Sequence, residues 1–433
     1  MTRRPHVAFV TLGCPKNEVD TSEMTARLTA ADYVITDDTE AADVVVVNTC
    51  SFIREATEES IATVFSLLET TGSDTSRHVV VAGCMASRYG EDLRQSLPEA
   101  AAFVPVADEA DLPHVIAQLT GEAAMPVTRP DTLLPVAQGP SAYLRVSDGC
   151  HRTCAYCTIP SIRGPYVSRT LDQVVRDARS LIDTGAKELV LIGQDITAWG
   201  RDIEGGPALA DLLDELAALT GIAWIRLMYA QPDGVDARLL ESMAAHPSVC
   251  HYLDMPLQHA SSAVLRRMRR RGDATAYLEQ LATIRTAMPD IVLRTTLIAG
   301  FPGETRADAA LLERFVTDAS FDYTGVFVYS PEEGTPAAVM PDQVPLRTRR
   351  ARAQRLRDLA DAVGFRRNES HVGAELEVLV EGRDPDEDVV IGRWRGQAPE
   401  VDGIVFLDRG QAGDIVTARI VDAAGYDLEG EVL

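Results

Sequence analysis

The chain has 433 residues, of which 46% are apolar, and carries a formal net charge of −24. That length exceeds what one hydrophobic core normally serves, so two or three domains are expected. The acidity argues against an affinity built on nucleic-acid phosphates, no apolar run approaches the roughly 20 residues of a membrane span, and residues 1–5 do not open a signal peptide; the expectation is a soluble, cytoplasmic protein with reduced thiols.

Residues 5–120 read as a first, parallel α/β domain. Apolar runs at 6–12, 44–47 and 79–82 alternate with helix-like segments, the pattern of a parallel sheet. Each run is followed by a cysteine: Cys14, Cys50 and Cys84. Their spacings of 36 and 34 residues match one β-α unit each, which would bring the three thiols to the carboxyl rim where such folds place their sites. Taken singly, each cysteine reads as a small buried hydrophobe. Taken together, three thiols at equivalent positions favour a metal cluster.

A Pro-, Gly- and Thr-rich stretch at 121–140 reads as a linker, and a core domain is expected over 141–369. It opens on Cys150-His151-Arg152-Thr153-Cys154-Ala155-Tyr156-Cys157. Three thiolates in eight residues can hold three irons of a 4Fe-4S cube and leave the fourth open to a ligand. A zinc site needs four ligands, and His151 lies too close along the chain to join the same centre easily. Strand-like runs follow at 143–146, 188–192, 224–229, 252–255, 292–298 and 323–329, with helical segments such as 171–183 and 209–219 between them. Six β-α units suggest an open, partial β/α barrel of TIM-like kind, with its site at the carboxyl ends of the strands.

Polar residues and glycines stand at those ends: Gly193-Gln194-Asp195, Gln258 and His259, Gly300 through Thr305, and 330–335. Glycines let backbone approach a ligand, and Gln or Asp can bond amine and hydroxyl groups; ordinary turn chemistry is the alternative. Cys250 has no nearby partner and reads as a buried structural thiol. The basic runs 266–271 and 347–357 read as solvated helix faces. From 370 to the end, β-branched runs at 374–380, 389–393, 403–407 and 414–421 between Gly and Asp turns suggest a small antiparallel β-barrel. Residues 371–433 hold fifteen acidic side chains against five basic, a net −10, which suits a basic protein surface better than RNA.

Three stretches carry a resemblance over nearly the whole chain: Thr11-Leu12-Gly13-Cys14-Pro15-Lys16-Asn17, Asn48-Thr49-Cys50-Ser51-Phe52-Ile53, and residues 150–164, CHRTCAYCTIPSIRG. They resemble the methylthiotransferase family of radical S-adenosylmethionine (SAM) enzymes, in its ribosomal branch. The resemblance implies an N-terminal cluster-binding domain, a radical-SAM core and a C-terminal TRAM barrel. It implies two 4Fe-4S clusters and SAM: Cys150, Cys154 and Cys157 would hold the cluster that donates an electron to SAM, and Cys14, Cys50 and Cys84 an auxiliary cluster that carries the sulfur. Tyr156 matches the aromatic position beside the adenine, and Gly193, Gln194, Asp195 and Gly300 are the expected SAM contacts; no acid-base catalytic residue is singled out. The implied reaction adds a methylthio group to the β-carbon of an aspartate in small-subunit ribosomal protein S12 (uS12), with an electron donor and a sulfur source as further partners and no role for tRNA. The alternative is the branch that acts on tRNA adenosine, which usually has Gln-Met-Asn after the first cysteine. Pro15, Lys16 and the run 159–164 argue against it, and Glu18 is a minor departure from the ribosomal pattern.

Overall fold

The computed structural model describes residues 4–71, 77–122, 134–384 and 388–433, so most of the expected linker, residues 123–133, lies outside the described residues. The chain forms two compact units. One comprises Met1–Val136 with Asp148–Arg152 and Cys157–Val167; the other comprises Ala137–Ser147, Thr153–Tyr156 and Ser168–Leu433.

The first unit is a parallel sheet built from β1 (His6–Thr11), β2 (Val34–Ile35), β3 (Val44–Thr49), β4 (His78–Gly83) and β5 (Ala102–Pro105), in the order β2-β1-β3-β4-β5. Helices α1 (Pro15–Ala30), α2 (Arg54–Thr71), α3 (Cys84–Ser96) and α4 (Leu112–Thr120) connect the strands. The sequence Val44-Val45-Val46-Val47 is buried at every residue, as a central strand covered on both faces requires. Its side chains divide between two apolar clusters, Val44 and Val46 packing with Met24 and Leu28 of α1, Val45 and Val47 with Val64 of α2 and Met85 of α3. The short helix α5 (Ile159–Ile162) also belongs to this unit.

In the second unit, β6 (Ser141–Arg145) begins the core sheet. After the two-residue strands β7 (Ser147–Asp148) and β8 (Val167–Ser168), the sheet continues with β9 (Glu188–Ile192), β10 (Trp224–Leu227), β11 (Val249–Asp254), β12 (Val292–Ala299) and β13 (Tyr323–Val328). All pairs are parallel and the order is β13-β12-β11-β10-β9-β6, so the six expected β-α units are present as an open β/α barrel. Helices α6 (Leu171–Asp183), α7 (Leu209–Ala217), α8 (Ala237–Ala245), α9 (Ser262–Arg267), α10 (Ala274–Ala287) and α11 (Arg306–Ala319) fill the crossovers, and α12 (Leu346–Glu369) follows the last strand. Two of these helices start where the sequence signals it, with capping boxes at Thr170–Gln173 and Thr305–Asp308.

The C-terminal segment closes into a five-stranded barrel from β14 (Glu375–Arg383), β15 (Val390–Trp394), β16 (Val405–Leu407), β17 (Ile415–Ala424) and β18 (Asp427–Val432), in the order β14-β15-β16-β18-β17. Four pairs are antiparallel, and the barrel closes through one parallel pair, β16 with β18. The barrel is fixed to the core by buried ions. Arg393 of β15 reaches Glu188 at the start of β9 and Ser141 of β6; Glu188 also accepts from Arg226 of β10 at 2.7 Å, and all three charged side chains are at most 1% exposed. Tyr252 donates to Asp402 at 2.7 Å, and Arg294 of β12 stands between Asp254 (3.1 Å) and Asp402 (3.3 Å). Ser141 and Glu188 open their strands and Arg294 is third in β12, whereas Asp254 ends β11.

The reading of the basic runs as solvated faces holds for Arg266, Arg269, Arg271, Arg347, Arg350 and Arg355, which are exposed, and is corrected at four other arginines. Arg270 is 9% exposed. On α12, Arg349 donates to the Tyr329 carbonyl at 2.6 Å, Arg352 to Glu304 at 2.7 Å and Arg357 to the Val326 carbonyl at 3.1 Å. The long stems of these arginines let a helix with a polar sequence clamp the last strand, which composition alone reads as solvation. Cys250 is fully buried, as expected.

Candidate functional site

In the first unit, Cys14 follows β1 and caps α1, Cys50 follows β3, and Cys84 opens α3 directly after β4. The three thiols therefore stand at the carboxyl ends of three neighbouring strands. A hydrogen-bond network behind them sets the loops. Asn17, fully buried, donates to Asn48 Oδ1 and to the Thr49 carbonyl, both at 3.1 Å, and Asn48 returns a bond to the Asn17 carbonyl at 2.8 Å. Thr49 donates to the Ala82 carbonyl at 2.6 Å, and the Cys50 backbone exchanges bonds with the Ser60 hydroxyl. The Asn17, Asn48 and Thr49 bonds tie neighbouring cysteine-bearing loops together, and Ser60 anchors the Cys50 loop to α2.

Two glycines make the close approach possible. Gly13 has φ +109°, and a Cβ there would lie 2.6 Å from Cys50 Cβ and 3.0 Å from its Sγ. Gly83 has φ +87°, and its Cβ would lie 2.3 Å from Asn48 Oδ1. Both conformations and both spaces demand glycine. Burial pushes the Cys84 thiol up to about 12, against an opposing pull from Arg163, and Cys50, Asp20 and Cys14 push it further. Burial likewise raises Cys50. In the metal-free chain these are thiols; binding of iron has to displace their protons. Among the described residues no group of three or more His, Cys, Asp or Glu forms a site for one metal ion. A 4Fe-4S cube spreads its thiolates over separate irons, so three mutually interacting thiols, Cys50 and Cys84 buried and Cys14 half-buried, fit that cluster with one iron open.

The second cysteine run is held locally on both sides. In the first unit the Cys150 N–H donates to the Gly164 carbonyl at 3.2 Å, and Gly149, at φ +71°, closes the turn so tightly that a Cβ would meet the Pro165 carbonyl at 2.1 Å. In the second unit Ala155 donates to the Met268 carbonyl at 3.0 Å and accepts from the Ala337 N–H at 2.8 Å. The Tyr156 ring meets Phe301 edge-on at 6.5 Å between centroids. Arg270 is held strongly cationic by Tyr156 and Cys154 against its burial, and donates to the Pro256 carbonyl at 2.7 Å. Cys150, Cys154 and Cys157 are each half-buried. Three thiolates at this spacing beside an aromatic ring suit a second cube.

The carboxyl ends of the core strands carry the other expected residues. Gly193 is buried, and a Cβ on it would meet Ser147 Oγ at 2.4 Å. Asp195, 2% exposed, accepts from Thr197 Oγ1 at 2.6 Å, and Gln194 beside it is half-buried. Gly300, at φ +82°, packs on Arg349, whose Cγ would lie 2.3 Å from an added Cβ; its N–H donates to Glu304 at 2.6 Å. The glycine's freedom at 300 thus serves the docking of α12. Burial acts to raise Glu304, but His259, the Gly300 N–H and Arg352 together hold it below the usual carboxylate range. His259 accepts two backbone N–H bonds at Nδ1, which puts its own proton on Nε2, 3.5 Å from Glu304. Ser147 Oγ and Gln231 Oε1 are buried with no hydrogen-bond partner among the described residues. Orphaned polar atoms at strand ends call for a polar ligand, which is the fit SAM requires. Ser147, Gln231 and Arg270 were not legible as site residues, since nothing in the local sequence distinguishes them from turn or surface positions; Arg163 falls in the stretch 150–164 that carries the resemblance, but the groups it binds there are not local.

Comparison with known proteins agrees with this architecture. Residues 6–105 match the model described as Uncharacterized protein family UPF0004, 144–316 the Radical SAM superfamily and 372–433 the TRAM domain. Proteins named ribosomal protein uS12 methylthiotransferase RimO are similar from end to end: that of Geobacter sulfurreducens is 44% identical, with 99% of this chain and 98% of that protein covered, and that of Moorella thermoacetica is 44% identical, with 98% and 99% covered. Among solved structures, the radical SAM methyltransferase TsrM from Kitasatospora setae superposes with a TM-score of 0.55 at 14% identity, covering 87% of this chain and 81% of that one, a likeness of fold. No helix of the described residues is long and apolar enough to cross a membrane. With two three-cysteine sets, a six-strand radical-SAM core and a closed terminal barrel in one chain, and such identity over its whole length, the protein belongs to the RimO family of radical-SAM methylthiotransferases.

Proposed function

We propose that the chain adds a methylthio group to the β-carbon of an aspartate in ribosomal protein uS12. The observation that carries this reading is the second thiol triplet: a radical-SAM core needs Cys150, Cys154 and Cys157, while Cys14, Cys50 and Cys84 form a separate three-thiol set on their own sheet. The domains follow as 5–120, 141–369 and 370–433, with 121–140 as linker. When bound, the core cluster supplies the electron that cleaves SAM reductively, generating the radical that takes hydrogen from an unactivated carbon.

The chain's own residues bind and orient. Tyr156, with Gly193, Gln194, Asp195 and the buried Ser147 and Gln231, forms the SAM cradle at the strand ends, and Gly300 shapes the same rim through Glu304 and Arg349. Cys14, Cys50 and Cys84 hold the centre that carries sulfur. The acidic terminal barrel suits a basic ribosomal protein, and the enzyme works in the cytoplasm with an electron donor and a sulfur source.

The experiment is anaerobic reconstitution of two triple variants. Changing Cys14, Cys50 and Cys84 to Ala should remove about half of the iron and stop product formation while SAM cleavage to deoxyadenosine continues. Changing Cys150, Cys154 and Cys157 to Ala should abolish SAM cleavage. Full iron retention by the first variant would disprove the second cluster.

A further inference from the structure

Arg163 lies in the run Ile159-Pro160-Ser161-Ile162-Arg163-Gly164, and its place in the first unit is unusual. The side chain is 2% exposed, yet it carries a charge among other charges. One guanidinium nitrogen binds Asp20 of α1, whose side chain is fully buried. The other binds Asp148 at 3.2 and 3.4 Å, two residues before Cys150. The nitrogen on Asp20 also points a hydrogen at Cys84 Sγ, 3.9 Å away. One side chain thus reaches the helix that starts at Cys14, the segment that leads into Cys150, and the thiol of Cys84.

Such a placement is costly unless the charge is used. A buried guanidinium loses its hydration, and one carboxylate would be enough to balance it. Asp20 and Asp148 hold it strongly protonated despite burial. Three thiolates around a cube leave it anionic, and that charge has to be met inside a buried rim.

We propose that Arg163 is the fixed positive charge that offsets the anionic thiolate cluster on Cys14, Cys50 and Cys84, with Asp20 and Asp148 holding the guanidinium against Cys84. This rests on the two-cluster reading given above. Arg163 acts through Cys84 and is a positioning residue. Its effect is electrostatic: a neighbouring cation favours the more negative, reduced form of a cluster, and a neighbouring carboxylate disfavours it.

The test uses the full chain with Cys150, Cys154 and Cys157 changed to Ala, so that only the N-terminal cluster is present. Iron content and the reduction midpoint, followed by electron paramagnetic resonance, are read in this parent and in Arg163→Met, Arg163→Lys and Asp20→Asn. Arg163→Met should move the midpoint to more negative potential, and Arg163→Lys should restore it toward the parent because charge returns without the planar fork. Asp20→Asn should move it the opposite way, to more positive potential, and this variant decides the matter if Arg163→Met fails to retain iron. Unmoved midpoints, equal shifts in the Met and Lys variants, or shifts of the same sign in Arg163→Met and Asp20→Asn overturn the proposal while the cluster stands. A parent that binds no iron overturns the two-cluster reading, and the proposal with it.

Discussion

Gly13 shows how much of the site depends on single residues. Its φ of +109° and the 2.6 Å separation from Cys50 leave no space for a side chain. Gly13→Ala should therefore displace Cys50 and lower the iron held by the N-terminal thiols, while SAM cleavage at the core persists. Iron and deoxyadenosine assays on the reconstituted variant check this, and wild-type iron content would refute it. The six cysteines were legible because the spacing within a run and the placement after a strand are local properties. Arg270 was not, because a run of basic residues reads as solvated until the chain brings Cys154 beside one member of it, and Arg163 was not, because Cys84, the thiol it reaches, lies 79 residues away along the chain. Gly300 illustrates the converse: a glycine at a strand end suggested ligand approach, and its nearest neighbour is the stem of Arg349.

At the scale of elements, the amino-terminal ends of β6 and β9, with Arg226 of β10, depend on the charge of Arg393 supplied by β15. Burial acts against the Glu188 carboxylate, but Arg393 and Arg226 outweigh it and lower its pKa to about 2 from an ordinary value of 4.5. A carboxylate with a depressed folded-state pKa contributes stability that is present above its ordinary value and is lost as pH falls through the lower one. The metal-free chain should accordingly lose stability between pH 4.5 and about pH 2, and Glu188→Gln should remove that part of the dependence. At neutral pH the same change leaves two buried guanidinium groups uncompensated and should cost roughly 3–5 kcal/mol. Denaturant unfolding as a function of pH measures both; a cost below about 1 kcal/mol would contradict the buried network. Strand positions were read well where β-branched runs are long, as in β3, β9 and β12. The strand β18 was missed because Asp427-Leu428-Glu429-Gly430-Glu431-Val432 is mostly polar and glycine-bearing, and gains its place from pairing with β16 and β17.

At the scale of the molecule, the terminal barrel serves the fold as well as any partner. Composition alone suggests a detachable acidic module, whose removal would leave SAM cleavage intact. The ties of Arg393 to Glu188 and of Asp402 to Arg294 and Tyr252 argue otherwise. Deleting residues 371–433 should destabilise the core and lower SAM cleavage along with substrate capture. Thermal unfolding of the truncated core at the intact chain's midpoint would refute this. The outward acids Glu400, Asp414, Asp422, Glu429 and Glu431 are exposed, so added salt should weaken capture of a basic protein by the intact enzyme through screening.

The central claim is that this chain modifies an aspartate of a ribosomal protein. Reconstituted enzyme with SAM, reductant and sulfide should be offered uS12 and adenosine-containing tRNA in equal amounts, and both analysed by mass spectrometry. The account predicts a gain of one methylthio group on one aspartate of uS12, lost when that aspartate is changed to Ala, with the tRNA unmodified. Methylthio-adenosine in the tRNA, with no mass gain on the protein, would contradict it.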